Sequence, residues 1–376
     1  MEKYFGEAIP KLGFGLMRLP KEASGKINIE HTKKMVDMFM QAGLSYFDTA
    51  YVYDGGDSEL AAKAALVERY PRESFTLATK LCAWAGDNCD EQKAKQQFFT
   101  SLERTGAGYF DYYLLHALQA GNYRKYDEYH IWDFAKEQKA KGLIKHWGFS
   151  FHASPEILDE ILTDHPDAEF VQLQLNYADW ENPDVASRAN YEVARKHGKS
   201  IIVMEPVKGG ALADPPKEVK EILNAVDSHA SYASWAIRFA ASLEGIITVL
   251  SGMSNVEQMA DNLSYMRNFK PLDAREQQAI QKAQEAMGSV RSIPCTACHY
   301  CTAGCPQHIP IPEIFAARNK QIIHGQIESG KADYFKATAN AGKASDCISC
   351  GQCVRACPQQ IEVIGKLKEC AEVFGG

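Results

Sequence analysis

The chain has 376 residues, 45% hydrophobic and 24% charged, a composition ordinary for a soluble globular protein. The formal net charge of −7 argues against a nucleic-acid or anionic-membrane partner, since both favour basic patches. The amino-terminal stretch MEKYFGEAIP lacks the apolar region of a signal peptide. No run of about 18 apolar residues is present, so we expect a cytoplasmic protein without a membrane span.

Short β-like runs alternate with longer amphipathic runs along most of the chain. The predicted strands are KLGFGLM, YFDTA, FTLATK, DYYLLHA, HWGFSF, FVQLQLNY, SIIVMEP and ITVLSGM. Several stretches between them begin with Asp, Ser or Asn and end in Gly, which predicts capped helices. Eight strand–helix pairs within about 260 residues favour an α/β fold, a (β/α)8 TIM barrel over residues 1–268.

A doubly wound open sheet is the main alternative fold. It would show a G-x-G-x-x-G fingerprint after an early strand, and the segment GFGLMRLP does not supply one. In a TIM barrel the active site lies at the carboxyl ends of the strands. We therefore expect functional side chains among the polar residues at these ends, namely Asp48, Thr49, Lys80, His116, Ser150, Gln172, Gln174 and Glu205.

Two cysteine clusters follow the predicted barrel, within residues 269–376. CTACHYCTAGCP and CISCGQCVRACP hold eight of the eleven cysteines, and clustered cysteines in a cytosolic chain predict metal or cofactor ligands. Both follow the C-x2-C-x2-C-x3-C-P spacing of two-cluster bacterial ferredoxins. Zinc is the main rival, because C-x2-C pairs also bind it. Duplication of the complete run with both prolines favours two [4Fe–4S] clusters in a small, mostly helical ferredoxin-like domain.

The fourth cysteine of each ferredoxin run ligates the other cluster, which predicts crossed ligand sets. One set is Cys295, Cys298, Cys301 and Cys357, and the other is Cys347, Cys350, Cys353 and Cys305. About forty residues that look helical separate the runs. This spacing resembles the helical ferredoxin-like modules found on larger redox enzymes. The three remaining cysteines are expected to be ordinary thiols: Cys82, Cys89 and Cys370.

The stretch FDTAYVYDGGDSE resembles the signature of the aldo-keto reductases, with a tyrosine five residues after the strand-ending aspartate. LATK and YYLLHA match the places where that family keeps a lysine and a histidine, and KGLIKHWGFSFH matches its approach to the fifth strand. The four motifs follow the family's order, and the resemblance covers roughly residues 8 to 268. It implies a catalytic set of Asp48, Tyr53, Lys80 and His116.

The implied chemistry needs these residue types. A carbonyl that accepts hydride must receive a proton, and an ordinary tyrosine pKa of about 10 is too high for easy transfer. A cation at Lys80 would lower the pKa of Tyr53, and Asp48 would keep that lysine charged. His116 would donate a hydrogen bond to the substrate oxygen or relay the proton. Taken singly, an Asp–Lys pair or a lone histidine can be structural; Tyr51 competes with Tyr53, which the family's spacing selects.

The resemblance also implies a nicotinamide coenzyme, although its positions are less complete. Ser150 is kept from the Ser-Asn pair after the fifth strand, but Phe151 replaces the asparagine. Gln172 matches the glutamine that contacts the same carboxamide. In MEPVKGG, Met204 stands where many members stack an aromatic ring, and a thioether can still pack on a ring. Pro206 in the same segment is a further candidate coenzyme contact.

The adenosine end departs most from the family. Members that hold the 2′-phosphate of NADPH use a lysine and an arginine where this chain has Gly252 and Gln258. No lysine or arginine occurs between Arg238 and Arg267, so the phosphate would lack charge-assisted hydrogen bonds. We therefore expect NAD(H) to be favoured over NADP(H). Asp261 and Asn262 match positions that contact adenine in the family. The residues expected around the substrate pocket are Met17, Arg18, Trp84, Tyr177 and Trp180.

The two halves differ in electron counting. A nicotinamide transfers two electrons at once as hydride, whereas a [4Fe–4S] cubane transfers one. Direct electron exchange between them is unfavourable without a two-electron mediator such as a flavin, and the sequence shows no evident flavin motif. The favoured hypothesis is reversible nicotinamide-dependent reduction of an aldehyde or ketone, with clusters of structural or electron-transfer role. The alternatives are an enzyme whose clusters carry electrons from a ferredoxin or other electron-transfer partner to the barrel, and a non-catalytic redox-sensing scaffold.

Overall fold

The computed structural model describes residues 3–84, 89–288 and 292–375. The chain forms two compact units that are discontinuous in sequence, so the predicted boundary at residue 268 stays a prediction. The first unit runs to Asn176 and continues with Ala186–Pro206 and Ala236–Leu272. The second unit combines Tyr177–Val185 and Val207–Trp235 with the chain from Asp273 onward.

The first unit contains a closed barrel of eight parallel strands, which confirms the predicted fold. Two short antiparallel strands precede it, β1 (Lys3–Tyr4) and β2 (Glu7–Ala8). The barrel strands are β3 (Leu12–Gly15), β4 (Tyr46–Asp48), β5 (Thr76–Leu81), β6 (Phe110–Leu118), β7 (Ile144–Phe151), β8 (Phe170–Gln174), β9 (Ser200–Met204) and β10 (Ile246–Ser251). Neighbouring strands pair in chain order, and β10 closes the barrel against β3.

Helices follow the barrel strands, several of them with side-chain caps, of which Asp90 and Asn255 begin predicted helical stretches. The side chains of Asn28, Asp90 and Asn255 each accept a hydrogen bond from a backbone N–H three residues later. One helix, α8, was not predicted, although Val219 and Leu223 give it an apolar i, i+4 pair. The helices are α1 (Ile29–Gln41), α2 (Asp57–Ala62), α3 (Glu91–Thr105), α4 (Arg124–Glu128), α5 (Ile131–Ala140), α6 (Pro155–Asp164), α7 (Ser187–Lys196), α8 (Lys217–Asn224), α9 (Tyr232–Ala241) and α10 (Val256–Met266).

The carboxyl-terminal region is helical, as predicted. Its helices are α11 (Ala274–Gly288), α12 (Tyr300–Ala303), α13 (Ile311–His324), α14 (Ile327–Thr338), α15 (Gln352–Ala356) and α16 (Val363–Phe374). Tyr334 and Phe374 stack with ring centroids 4.3 Å apart in an apolar core that also contains Phe315 and Leu367. Within the described part of the chain, no helix has the length and apolar character needed to cross a lipid bilayer.

Candidate active site and cysteine cavities

A buried ion pair joins the carboxyl ends of two neighbouring strands. Asp48 ends β4, and Lys80 lies near the end of the adjacent strand β5. The Lys80 ammonium lies 2.5 Å from Asp48 Oδ1 and donates a second hydrogen bond to the carbonyl of Thr49 at 2.7 Å. Burial lowers the pKa of Lys80 below its usual value, and the charge and hydrogen bond of Asp48 oppose part of that shift. The carboxylate therefore favours the charged form of the lysine in a site that excludes water.

Tyr53 lies beside this pair, in the tight turn that follows β4. Its side chain is buried, and Lys80 Nζ is 4.8 Å from the centroid of its ring. The turn continues through Asp54 with a left-handed φ of 48°. Tyr51 has a different neighbour, because the Arg104 guanidinium lies 4.5 Å from its ring centroid and donates to its carbonyl. Of the two tyrosines, Tyr53 is therefore the one with a described contact to the lysine.

His116 on β6 completes the group of four predicted catalytic residues. Its ring meets that of Tyr53 edge-on, with centroids 5.6 Å apart. Its carbonyl accepts hydrogen bonds from Trp84 Nε1 at 2.9 Å and from the Tyr126 hydroxyl at 2.5 Å. Burial lowers the pKa of His116 well below its usual value, and the charge of Lys80 lowers it further. The imidazole is therefore neutral at neutral pH, with one ring N–H to donate.

The predicted carboxamide contacts lie on β7, β8 and β9. Ser150 Oγ accepts a hydrogen bond from the backbone N–H of Ala117 at 2.7 Å, which leaves its own O–H as a donor. Gln172 Nε2 donates to Met204 Sδ at 3.5 Å. Gln172 Oε1 is buried and has no hydrogen-bond partner among the described residues. A buried acceptor without a partner is costly, so this oxygen suits a ligand N–H, as a carboxamide provides.

The adenosine positions contain a contact that sequence reasoning missed. A Cβ at Gly252 would lie 3.2 Å from the side chain of Arg18, so an arginine covers the position where NADPH-binding members have a lysine. The segment between Arg238 and Arg267 gives no sign of this contact. Arg18 follows the first barrel strand, β3, and comes close to Gly252 only because β3 pairs with the last strand, β10, when the barrel closes. The Arg18 guanidinium also lies 3.7 Å from Glu205 Oε1, which offsets part of its charge.

The other adenosine and pocket residues have described surroundings of their own. Asn262 Oδ1 accepts a hydrogen bond from Ser251 Oγ at 2.7 Å, and Gln258 Oε1 accepts one from the backbone N–H of Ser254 at 2.7 Å. Asp261 is half-buried on α10, Pro206 is buried after β9, and Met17 is half-buried after β3. Two predicted pocket residues belong to the second unit, Tyr177 and Trp180.

The eight clustered cysteines line two cavities, each with an apolar wall. One cavity is lined by Cys295, Cys298, Cys301 and Cys357 and the other by Cys305, Cys347, Cys350 and Cys353. Their empty volumes, which include space open to solvent, are about 330 and 320 Å³. No three His, Cys, Asp or Glu side chains in residues 3–84, 89–288 and 292–375 converge tightly enough for a single metal ion.

Comparison with known proteins identifies both parts of the chain. Residues 11–285 match the model of the aldo/keto reductase family. The chain belongs to this family. Residues 294–362 match the model of a 4Fe-4S dicluster domain, so the aldo-keto reductase barrel is followed by an iron–sulfur domain. Both resemblances predicted from the sequence are thereby confirmed.

Relatives cover mainly the barrel part of this aldo-keto reductase. An uncharacterised oxidoreductase of Bacillus subtilis strain 168 is 24% identical over 305 residues, which are 73% of this chain and 92% of that protein. Among solved structures, an aldo-keto reductase from Bacillus halodurans in its holo form has a TM-score of 0.59 at 24% identity, covering 74% and 93%. An aldo/keto reductase from Klebsiella pneumoniae in complex with NADP and acetate has a TM-score of 0.58 at 19% identity, covering 73% and 91%.

In this aldo-keto reductase, the segments that follow β8 and β9 fold with the cysteine-rich region. Gln360 Nε2 donates to the carbonyl of Asp184 at 3.2 Å. Gly209 has a φ of +64°, and a Cβ there would lie 2.5 Å from the backbone oxygen of Thr296. Thr296 directly follows Cys295 in the chain. The loop that carries the first cysteine set therefore packs against the segment after β9.

Substitution of Gly209 tests this packing. Gly209→Ala should displace Thr296, because the new methyl group would overlap its backbone, and should change the EPR spectrum of the dithionite-reduced protein. Gly210→Ala is the matched control, since Gly210 also has a positive φ, +100°, but has nothing within 4 Å of a Cβ. Identical spectra for the two variants and the wild type would show that the contact does not constrain the cluster site.

Proposed function

We propose that this protein is a nicotinamide-dependent aldehyde or ketone reductase that works reversibly, with Tyr53 as the general acid. The observation that carries the proposal is the contact of Tyr53 with a buried ammonium, since Lys80 Nζ lies 4.8 Å from the tyrosine ring. Asp48 contacts Lys80, and His116 contacts Tyr53. A solvent-excluded cation, a tyrosine and a neutral histidine at the end of a barrel are the groups that carbonyl reduction needs.

Each residue then has a separate task. The Lys80 cation favours the phenolate over the phenol and so lowers the pKa of Tyr53 toward neutral pH. Its effect is strong because a buried charge is poorly screened. His116 is neutral at neutral pH, so it donates a hydrogen bond to the substrate oxygen while Tyr53 supplies the proton. The bound nicotinamide supplies the hydride, and in the oxidative direction Tyr53 acts as the base.

The coenzyme is proposed to bind through its carboxamide at β7 and β8. The unpartnered Gln172 Oε1 would accept from the amide, and the Ser150 hydroxyl would donate to it. Gly252 and Gln258 bring no charge to the adenosine end, and Glu205 offsets part of the charge of Arg18. We therefore propose a preference for NADH over NADPH. The NADP complex of the Klebsiella relative supports a nicotinamide coenzyme but does not determine this choice.

Two [4Fe–4S] clusters are proposed for the two cysteine cavities. A zinc ion would draw four sulfurs to about 2.3 Å from one point, whereas a cubane binds each sulfur through a different iron. The complete C-x2-C-x2-C-x3-C-P spacing of both runs and the four cysteines that line each cavity favour the cubane. Each cavity has three cysteines from one run and the last cysteine of the other, which supports crossed ligation.

A second candidate function is delivery of electrons from a ferredoxin-type partner to the barrel through the clusters. One observation favours it: the segments after β8 and β9 belong to the same compact unit as the cysteine-rich region. Those strands also carry Gln172 and Met204, which are the proposed coenzyme contacts. Reduction of a carbonyl by the clusters would require two sequential one-electron transfers, whereas a hydride carries both electrons in one step.

Tyr53→Phe tests the acid assignment. The change removes the phenolic proton but keeps the ring, so NADH-dependent reduction of an aldehyde panel should fall by at least two orders of magnitude, the usual contribution of a general acid. The visible absorption of the clusters should not change. Wild-type protein, assayed with both coenzymes, should show the lower KM for NADH. Retention of activity in Tyr53→Phe would overturn the acid assignment, and a lower KM for NADPH would overturn only the coenzyme proposal.

Paired serine substitutions test the crossed ligation. In a Cys347→Ser background that has lost one cluster, adding Cys305→Ser should leave about four irons per chain, since both cysteines then serve the missing cluster. Adding Cys357→Ser to the same background should remove most of the remaining iron and the remaining EPR signal. The opposite result, with the Cys305→Ser double variant iron-free and the Cys357→Ser double variant still loaded, would establish uncrossed ligation.

Anaerobic reduction separates the two candidate functions. If the clusters stay outside hydride transfer, NADH should leave their visible absorption unchanged and dithionite should bleach it, while NADH still supports carbonyl turnover. Bleaching by NADH, followed by recovery of the absorption on addition of the carbonyl substrate, would instead favour electron transfer between clusters and barrel. Tyr53→Phe serves as the control, because it removes the proton donor for turnover without touching a cluster ligand.

A further inference from the structure

Cys82 is a buried thiol in direct contact with His116. It follows β5, two residues after Lys80, and is completely buried. Its Sγ lies 3.4 Å from Nδ1 of His116, within hydrogen-bond distance for sulfur. No role for this cysteine follows from the catalytic scheme above, yet it contacts the ring nitrogen that lies opposite Nε2 on the imidazole.

Both partners of this contact are held in place by other hydrogen bonds. The buried side-chain amide of Gln97 accepts from the Cys82 backbone N–H and donates to the Cys82 carbonyl, both at 2.9 Å. The backbone carbonyl of His116 accepts hydrogen bonds from Trp84 Nε1 and from the Tyr126 hydroxyl. The Tyr126 hydroxyl also accepts from the backbone N–H of Ala83 at 3.3 Å. Gln97 thus fixes Cys82 itself, and Trp84 and Tyr126 tie the residues that follow it to the backbone of His116.

The direction of the hydrogen bond decides what His116 can do. A neutral imidazole carries a single N–H, and the partner of one nitrogen sets the state of the other. If the thiol donates to Nδ1, the ring proton stays on Nε2 and can be donated to a carbonyl oxygen. If Nδ1–H donates to sulfur, Nε2 becomes an acceptor and cannot stabilise that oxygen. Burial raises the pKa of the Cys82 thiol well above its usual value, in keeping with a protonated S–H donor.

We propose that Cys82 is a positioning residue whose S–H donates to Nδ1 of His116 and keeps the ring proton on Nε2 for the substrate oxygen. The inference rests on the proposed function of His116 as a hydrogen-bond donor in carbonyl reduction. It assigns to Cys82 a task that simple apolar packing would not require. A valine at this position would fill similar space but could not donate.

Nitrogen NMR of histidine-labelled protein tests the proposal directly, with His116 assigned by its loss in His116→Gln. In the wild type, Nδ1 of His116 should resonate as an unprotonated nitrogen that accepts a hydrogen bond. Cys82→Val should remove the hydrogen-bond shift of Nδ1 or transfer the proton to it, and Cys82→Ser, which restores a donor, should return the resonance toward the wild-type position. Cys370→Val, which replaces another fully buried thiol, is the control and should leave His116 unchanged.

Kinetics provide the second measurement. Loss of one such hydrogen bond should lower kcat about tenfold in Cys82→Val, with KM for the coenzyme unchanged and partial recovery in Cys82→Ser. A proton on Nδ1 in the wild type, or an Nδ1 resonance unaffected by Cys82→Val, would overturn the proposal. The two proposals can fail separately. If the wild type reduced no carbonyl compound but Cys82→Val shifted the Nδ1 resonance as expected, the proposed function would be wrong and the hydrogen bond from Cys82 would still be supported.

Discussion

The buried pair of Lys80 and Asp48 is the constraint on which the candidate active site depends. Removing an ammonium and a carboxylate from water costs several kcal/mol per ion, and only close contact with further hydrogen bonds offsets that cost. Here the ions are 2.5 Å apart, and the Thr49 carbonyl accepts a second hydrogen bond from the lysine. Such a contact requires two neighbouring strands in a set register, which the parallel pairing of β4 and β5 provides.

The same buried cation separates the roles of the groups around it. It lies 4.8 Å from the ring centroid of Tyr53 and disfavours the charged form of His116. In the proposed mechanism, this one cation makes proton release from Tyr53 easier and keeps the His116 imidazole neutral. Cys82 adds a further contact to this group of residues. Its sulfur contacts Nδ1 of His116, whereas Nε2 is the ring nitrogen proposed to face the substrate.

The iron–sulfur domain poses a different physical problem, because its centres transfer single electrons and a nicotinamide transfers pairs. Met204, a proposed coenzyme contact, is five residues before Gly209, which packs on the loop between the first two clustered cysteines. Gly209 therefore connects the cysteine-rich loop with the segment that follows β9 within the second unit.

The sequence by itself determined the barrel and the eight clustered cysteines, because strand alternation and ligand spacing are local patterns. The four catalytic candidates came from the resemblance of four short motifs to the aldo-keto reductases. The choice of Tyr53 over Tyr51 depended on the family's spacing alone. The structure adds a physical difference, because Lys80 contacts the ring of Tyr53 whereas Arg104 contacts the ring of Tyr51. Only the tertiary structure placed Arg18 beside Gly252, Cys82 against His116 and Gly209 against Thr296. Each of these contacts joins residues far apart in the chain, and barrel closure or loop packing, which no local pattern encodes, decides whether they meet.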